Sequence, residues 1–322
     1  MRILVAPDKF AGTLTAVEAA RAIATGWRRH APGDELDLAP MADGGPGFVD
    51  VLHEALGGDV LALTVSGPFG EPTPATLLVV DETAYVESAQ ACGLHLTRRE
   101  RAEEASSRGV GELVLAALDA GAREVVVGLG GSGTTDGGAA LVAASDVDNQ
   151  LTGMFGAAKT FGPQKGVAEE RIPVVDGWLE AYASAVDRRT SLLAGAGAAG
   201  GLGFALLALG ASRLPGLELV ARATRLAARA RAADLVLTGE GAFDFSSRAG
   251  KVPYGVAQIA AEAVRPCVAL AGKVLVGARE MRALGVESAY SLVDLVGEER
   301  AMTQPAEALA ELAQRVARTW SH

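Results

Sequence analysis

Five times along this chain a short apolar run ends in a glycine-rich or acidic turn, and the runs are interleaved with alanine-rich stretches of helical character. That alternation restricts the fold more than any other feature, because strands that alternate with helices pair into a largely parallel sheet covered on its faces, the α/β class. Ile3–Ala6 leads to Asp8 and then to a helix from about Thr15; Leu36–Ala39 leads to Asp43-Gly44-Gly45 and a second helix. Val125–Gly128 leads to a glycine cluster, Leu235–Thr238 to Gly239-Glu240-Gly241, and Val268–Ala271 to Gly272-Lys273. The first helix start is the most explicit, since Thr15-Ala16-Val17-Glu18 places a Glu three residues after a hydroxyl, the spacing of a capping box. Each polar turn stands at the carboxyl end of its strand, where open α/β sheets bind ligands and helix N-termini offer N–H groups and positive dipole.

Val65 to Ser88 departs from the repeat. Pro68, Pro72 and Pro74 and the alternating run Ala75–Val80 read as a β-rich excursion that opens a second domain. A length of 322 residues with 49% hydrophobic content supplies the cores for two domains. The net charge of -10 disfavours nucleic acid and anionic membranes as partners. Ala194–Ser212 is uncharged but too rich in glycine for a spanning helix, and Met1–Asp8 lacks the apolar core and cleavage site of a secretory signal, so a cytoplasmic protein is expected. Cys92 and Cys267, each in an apolar setting, read as reduced core residues. Lysine is confined to Lys9, Lys159, Lys165, Lys251 and Lys273, all read as lying in or beside turns; in so arginine-biased a chain these compact charges suit phosphate oxygens.

The densest motif runs from Gly128 to Ala139, Gly-Leu-Gly-Gly-Ser-Gly-Thr-Thr-Asp-Gly-Gly-Ala. Such a loop can bring backbone N–H groups and hydroxyls onto an anion, with Asp136 holding a substrate hydroxyl or a metal; a tight loop with packing glycines is the plainer alternative. Gly128, Gly130 and Gly133 also satisfy G-x-G-x-x-G, so a nicotinamide-dependent dehydrogenase competes, although Thr134-Thr135-Asp136-Gly137-Gly138 prolongs the turn where a dinucleotide fingerprint would open a helix. A standard P-loop is excluded, because Gly250-Lys251 and Gly272-Lys273 are each followed by Val. Asp146-Val147-Asp148-Asn149 offers oxygen ligands for Mg²⁺ through Asp146 and Asp148, or a surface turn. Phe161–Gly166 is a turn presenting Lys165, and Gly195–Gly203 is a backbone that can approach either a phosphate or a neighbouring helix. Thr238–Asp244 followed by Ser246, Ser247 and Lys251 can address metal and phosphate together.

Hydrolytic chemistry finds little support. His30, His53, His95 and His322 are scattered, so a Ser-His-Asp arrangement lacks its base and zinc lacks its ligand spacing. Carboxylates, hydroxyls, lysines and glycine loops are the equipment of phosphoryl transfer, in which positioning and charge neutralisation supply most of the catalysis.

Taken in order, Ala6-Pro7-Asp8-Lys9-Phe10, Ala42-Asp43-Gly44-Gly45, Gly130–Ala139, Asp146–Asn149, Phe161–Gly166, Gly195–Gly203 and Thr238–Gly241 resemble the bacterial glycerate kinases, of the glycerate 2-kinase type, over nearly the whole chain. The resemblance implies a Rossmann-like domain with a parallel sheet, a second α/β domain, an active site in the cleft between them, and ATP- and Mg²⁺-dependent phosphorylation of D-glycerate to 2-phosphoglycerate. On that footing residues 1–63 and 214–322 are expected to form the first domain and 64–213 the second, with a homodimer allowed. Asp8, Asp43, Asp148 and Lys251 are the expected catalytic residues; Lys9, Ser132, Thr134 and Asp136 are expected to hold glycerate. Gly130, Gly131, Gly200, Gly201, Thr238, Gly239 and Lys165 would hold the nucleotide, and Asp146, Asp148 and Glu240 the metal.

Two departures from the family stand out. Gln150 replaces the proline of an Asp-Asn-Pro-Leu run, and only Ala139–Ala144 separate Gly138 from Ser145 where the family has a helix and further residues. A crossover needs at least about ten residues, so a segment of the family is expected to be missing. A glycerate- or nucleotide-binding protein without catalysis is the reading that this deletion would favour.

Overall fold

The structure, a computed structural model, describes residues 1–10, 12–137, 148–244 and 251–321. Its named strands in chain order are β1 (Arg2–Val5), β2 (Glu35–Leu38), β3 (Asp59–Ser66), β4 (Pro72–Val80), β5 (Thr83–Glu87), β6 (Glu124–Gly128), β7 (Leu235–Phe243), β8 (Cys267–Val274) and β9 (Ser288–Ser291). Two helices recur below, α1 (Ala16–His30) and α2 (Phe48–Leu56). The chain divides into two compact units, Met1–Ala42 with Leu217–His322, and Asp43–Gly216.

In the first unit all five strands are parallel, in the order β2-β1-β7-β8-β9. From β1 the chain moves outward to β2, and from β7 it moves the opposite way to β8 and β9, so the strand order reverses between β1 and β7. In an open α/β sheet that reversal leaves a crevice at the carboxyl ends of the two strands. Below it the core packs Ile3, Val5, Leu237 and Leu270 of the sheet against Ile23 and Trp27 of α1 and Leu309 of the helix Pro305–Trp320. Thr15 caps α1 through its hydroxyl and Glu18 reaches back to the Thr15 N–H, completing the capping box read from the sequence. Gly26 lets the C-terminal helix lie directly on α1, because a β-carbon there would stand 1.8 Å from the Ala310 carbonyl oxygen. The indole of fully buried Trp27 donates to Asp34 at 2.9 Å, which satisfies its one polar atom.

The second unit is built on the sheet β3-β4-β5-β6, antiparallel at its first two pairings and parallel between β5 and β6. The β-rich excursion starts at Asp59, ahead of the prolines. Pro72 and Pro74 pair with Ser66 and Thr64 of β3, whereas β5 joins β4 only from Leu77 onward, so the prolines occupy a stretch of β4 that needs no second ladder. Leu77, Val86 and Val127 are buried under Leu113 of the helix Arg108–Asp119 and Leu202 of the helix Leu202–Ala208. Residues 43–63, expected in the first domain, group instead with the second unit: β3 pairs along its length with β4, and α2 packs on β4 and β5.

Cys92 and Cys267 are free and buried, and burial pushes their thiols up to about 11 and about 12. None of the described helices is long and apolar enough to cross a membrane.

Candidate active site

In the first unit, the end of β1 and the middle of β7 bring a set of charged groups to the strand reversal. The Asp8 N–H donates to the Gly239 carbonyl at 2.8 Å, and the buried Thr238 hydroxyl donates to the Ala6 carbonyl at 3.0 Å, so these bonds lock the chain after β1 against β7. Thr238 therefore spends its hydroxyl on the backbone. Gly239 is small because a β-carbon would stand 2.2 Å from the Leu270 carbonyl oxygen, a strand-packing reason rather than a nucleotide-binding one. Asp8 is buried, accepts the Lys9 N–H at 2.7 Å and has Lys9 Nζ 3.5 Å from Oδ1. Glu240, also buried, has Lys251 Nζ at 3.6 Å from Oε2; the same ammonium lies 3.7 Å from Asp244 Oδ1. Lys251 stands at the N-cap of the helix Val252–Glu262, where Pro253 suits the first turn. Two buried carboxylates, each beside a lysine, thus lie past the end of the β1–β7 ladder.

In the second unit the glycine-rich loop after β6 is held by three neighbouring segments. Gly130 N–H donates to the Gly44 carbonyl, Gly133 N–H to the Cys92 carbonyl and Gly137 N–H to the Gly200 carbonyl. A β-carbon on Gly130 would meet Gly45 Cα at 2.5 Å, and one on Gly131 would meet the Pro46 ring at 2.8 Å. Gly200 and Gly201 have φ of 74° and 101°, and a β-carbon on Gly200 would stand 2.0 Å from the Thr134 carbonyl oxygen. These glycines let one backbone lie on another. Ser132 and Thr134 are buried, with their hydroxyls 3.1 Å apart. Asp136 accepts both the N–H and the hydroxyl of Ser107, at 2.6 and 2.9 Å, and so ties the loop to the start of the helix Arg108–Asp119. Asp43 folds back to accept the Gly45 N–H at 3.1 Å.

Lys165 is wholly buried and donates to the Thr134 carbonyl at 2.5 Å; burial pushes its pKa down to about 8, against the opposing pull of Cys92 and Asp136. Its ammonium is spent inside the loop, and the turn that was expected to present it to a ligand instead inserts it. Lys159 and Lys273 depart from the turn pattern too, lying in the helix Ala157–Phe161 and in β8 and pairing with Asp176 and Glu298. Asp148 has an exposed carboxylate 2.7 Å from an Arg213 nitrogen. Asp146, Ser246 and Ser247 lie outside the described residues.

One buried carboxylate escaped the sequence reading. Glu87 ends β5, is 5% exposed, and accepts the Gly47 N–H at 2.9 Å across 40 residues of chain. Burial pushes it up to about 7, and the N–H groups of Val49, Gly47 and Phe48 oppose that rise while Asp50 adds to it. The available signal was its place at a strand's carboxyl end, the same position as the other polar turns.

The sequence model described as the glycerate kinase family matches residues 3–145 and 139–321. The chain belongs to the glycerate kinase family. It is 35% identical to a glycerate kinase of Halalkalibacterium halodurans over 98% of this chain and 97% of the relative, and 34% identical to a glycerate 2-kinase of Escherichia coli over 92% of each. The crystal structure of a protein assigned as glycerate kinase 2 from Salmonella typhimurium matches with a TM-score of 0.80 at 34% identity, covering 99% of this chain and 98% of that one. A glycerate kinase is a phosphotransferase, and a dehydrogenase reading of the Gly128–Gly133 loop is not favoured: the residues after Gly133 run without a helix through Gly137. The two stretches matched to the family overlap at residues 139–145, where the sequence is short, and the alignment to the H. halodurans glycerate kinase runs over 368 positions against 322 residues here, so that relative carries residues this chain lacks.

Proposed function

We propose that this chain phosphorylates D-glycerate with ATP and a divalent metal, giving 2-phosphoglycerate. The observation that carries the reading is the placement of Asp8 and Glu240, each buried beside a lysine, at the reversal of strand order in the first unit. Open sheets use that position for polar ligands, and carboxylate–lysine pairs supply what phosphoryl transfer requires. The relatives named glycerate kinase and glycerate 2-kinase support the acceptor and the hydroxyl.

Asp8 accepts the proton of the attacking hydroxyl, as a carboxylate fixed by the Lys9 N–H can do without reorganising. Lys9 supplies positive charge for the glycerate carboxylate, and Asp43 accepts a hydrogen bond from a glycerate hydroxyl. Lys251 neutralises charge that grows on the transferred group. Lys165 keeps the glycine-rich loop after β6 in place. Mg²⁺ uses one or two carboxylates and fills its remaining positions with water and phosphate oxygens. Among the described residues no group of three or more His, Cys, Asp or Glu side chains could hold a metal; Glu240 would offer a single carboxylate in the first unit, and Asp148 a single exposed one in the second. When bound, the metal supplies charge neutralisation for the phosphates.

The test is ATP consumption with D-glycerate and Mg²⁺, with phosphorus NMR of the product. A 2-phosphoglycerate signal that vanishes in Asp8→Asn is expected. A 3-phosphoglycerate signal would overturn the choice of hydroxyl, and the absence of ATP binding would overturn the kinase reading of this chain's sites.

A further inference from the structure

We propose that Glu87 is a positioning residue of the phosphotransfer site, the group that fixes the Asp43–Gly47 segment on the glycine-rich loop after β6. The proposal deepens the kinase reading above and rests on it for the role of Asp43.

The argument begins at the N-terminus of α2. The N-cap position is Gly47, held at φ 92°, and it offers no side-chain oxygen to the first N–H groups of the helix. A helix start without a capping side chain leaves donors that must be satisfied from elsewhere. Glu87 does so from a different element: its carboxylate accepts the Gly47 N–H at 2.9 Å, while the Phe48 N–H goes to the Gly45 carbonyl at 3.1 Å within the same anchored turn. Glu87 pairs with Gly128 in the β5–β6 ladder, so it stands beside the first residue of the glycine-rich loop. The segment it holds lies on that same loop. Gly44 accepts the Gly130 N–H at 3.0 Å, a β-carbon on Gly128 would meet the Gly44 carbonyl oxygen at 2.5 Å, and Pro46 covers Gly131.

Such contact tolerates little displacement, since the two backbones touch without side chains that could repack. The anchoring carboxylate also sits where an unpaired carboxylate is costly, buried and within reach of the Asp50 charge, so the bond from the Gly47 N–H ties it to this segment. Asp43 begins the anchored segment. Loss of the Glu87 carboxylate frees Gly47, and with it the turn that sets the Asp43 carboxylate and the seat of Gly130.

A double-mutant cycle on the full chain tests this, with steady-state kinetics for D-glycerate in wild type, Glu87→Ala, Asp43→Asn and the double variant. The expected result is a KM for glycerate raised about tenfold by Glu87→Ala in the wild-type background and changed less than twofold in the Asp43→Asn background, because the effect travels through Asp43. The same factor in both backgrounds would overturn the proposal. Glu87→Gln, whose carbonyl still accepts the Gly47 N–H, should recover most of the affinity and covers the case in which Glu87→Ala does not fold. Amide hydrogen exchange gives a readout independent of activity: the Gly47 N–H should exchange at least tenfold faster in Glu87→Ala, and faster than wild type by a smaller factor in Glu87→Gln, where a neutral amide oxygen accepts more weakly than a carboxylate. Unchanged exchange in the folded variants would overturn the anchoring role whatever the kinetics. A wild-type protein that turns over no glycerate would sink the kinase reading, and with it the catalytic part of this proposal, while the exchange data would still decide whether Glu87 holds the segment.

Discussion

The Lys165 ammonium donates to the carbonyl oxygen of Thr134 at 2.5 Å with its side chain buried, and Gly200 packs on the same bond, where a β-carbon would stand 2.9 Å from the ammonium. Burying an ammonium is costly, and that cost offsets what its bond to the Thr134 carbonyl contributes. Lys165→Met should therefore leave the urea midpoint at pH 7 unchanged or raised while lowering kcat at least tenfold, since the loop loses its tie. A midpoint lowered by the equivalent of about 2 kcal/mol would show that the charge is a net stabiliser. The folded pKa of about 8 lies below the ordinary lysine value of 10.5, so between those pH values the unfolded chain keeps a proton that the folded chain has released. Stability should rise with pH across that window, by at most about 3 kcal/mol, and Lys165→Met should abolish the rise.

Glu87 carries the opposite dependence. Its carboxyl is pushed up to about 7 from 4.5, mainly by burial, so between those values the folded chain holds a proton that the unfolded chain has lost. Stability should fall as pH climbs through that window, by at most about 3 kcal/mol. Denaturant melts of wild type and Glu87→Gln at pH 5 and pH 8 would check it: the amide variant should lose less stability between the two. An equal loss in both proteins would place the titration on another group.

These two residues also mark where the sequence stopped being legible. The strands and the Thr15–Glu18 capping box were readable because they rest on local periodicity and on contacts within one turn. The five polar turns could be placed at strand ends, yet which side chains face a ligand could not, because Thr238 spends its hydroxyl on the Ala6 carbonyl, a partner that only tertiary pairing supplies, and Ser132 and Thr134 turn theirs toward each other. Dense glycine looks the same in a sequence whether it makes room for phosphate or for another backbone, and at Gly130 and Gly200 the structure shows the second. Glu87 was invisible for a related reason, since its partner Gly47 is 40 residues away and donates through its backbone, which leaves no residue-type signature.

Gly200 gives a stringent test of that packing. A side chain there would meet a left-handed φ of 74° and the Thr134 carbonyl oxygen at 2.0 Å, whereas Gly153, at φ 97°, has open space around its α-carbon. Gly153→Ala should cost about 1 kcal/mol from the backbone alone, and Gly200→Ala upward of about 3 kcal/mol because strain and overlap combine. Equilibrium urea unfolding of both variants would compare them, and similar midpoints would contradict the close approach of Gly200 to Thr134.

Asp148 offers the cleanest separation of stability from activity. Its carboxylate is exposed and pairs with Arg213 at 2.7 Å, a kind of ion pair that contributes at most about 1 kcal/mol because solvent screens it. An exposed carboxylate also keeps oxygen lone pairs accessible to a metal that carries most of its own water. Asp148→Asn should leave the thermal midpoint nearly unchanged and lower kcat at least tenfold, with part of the loss recovered at raised Mg²⁺ concentration. An activity equal to wild type would remove Asp148 from the mechanism. A kinetic loss that raised Mg²⁺ does not relieve would instead assign Asp148 to holding Arg213, and Arg213→Ala should then reproduce the same loss.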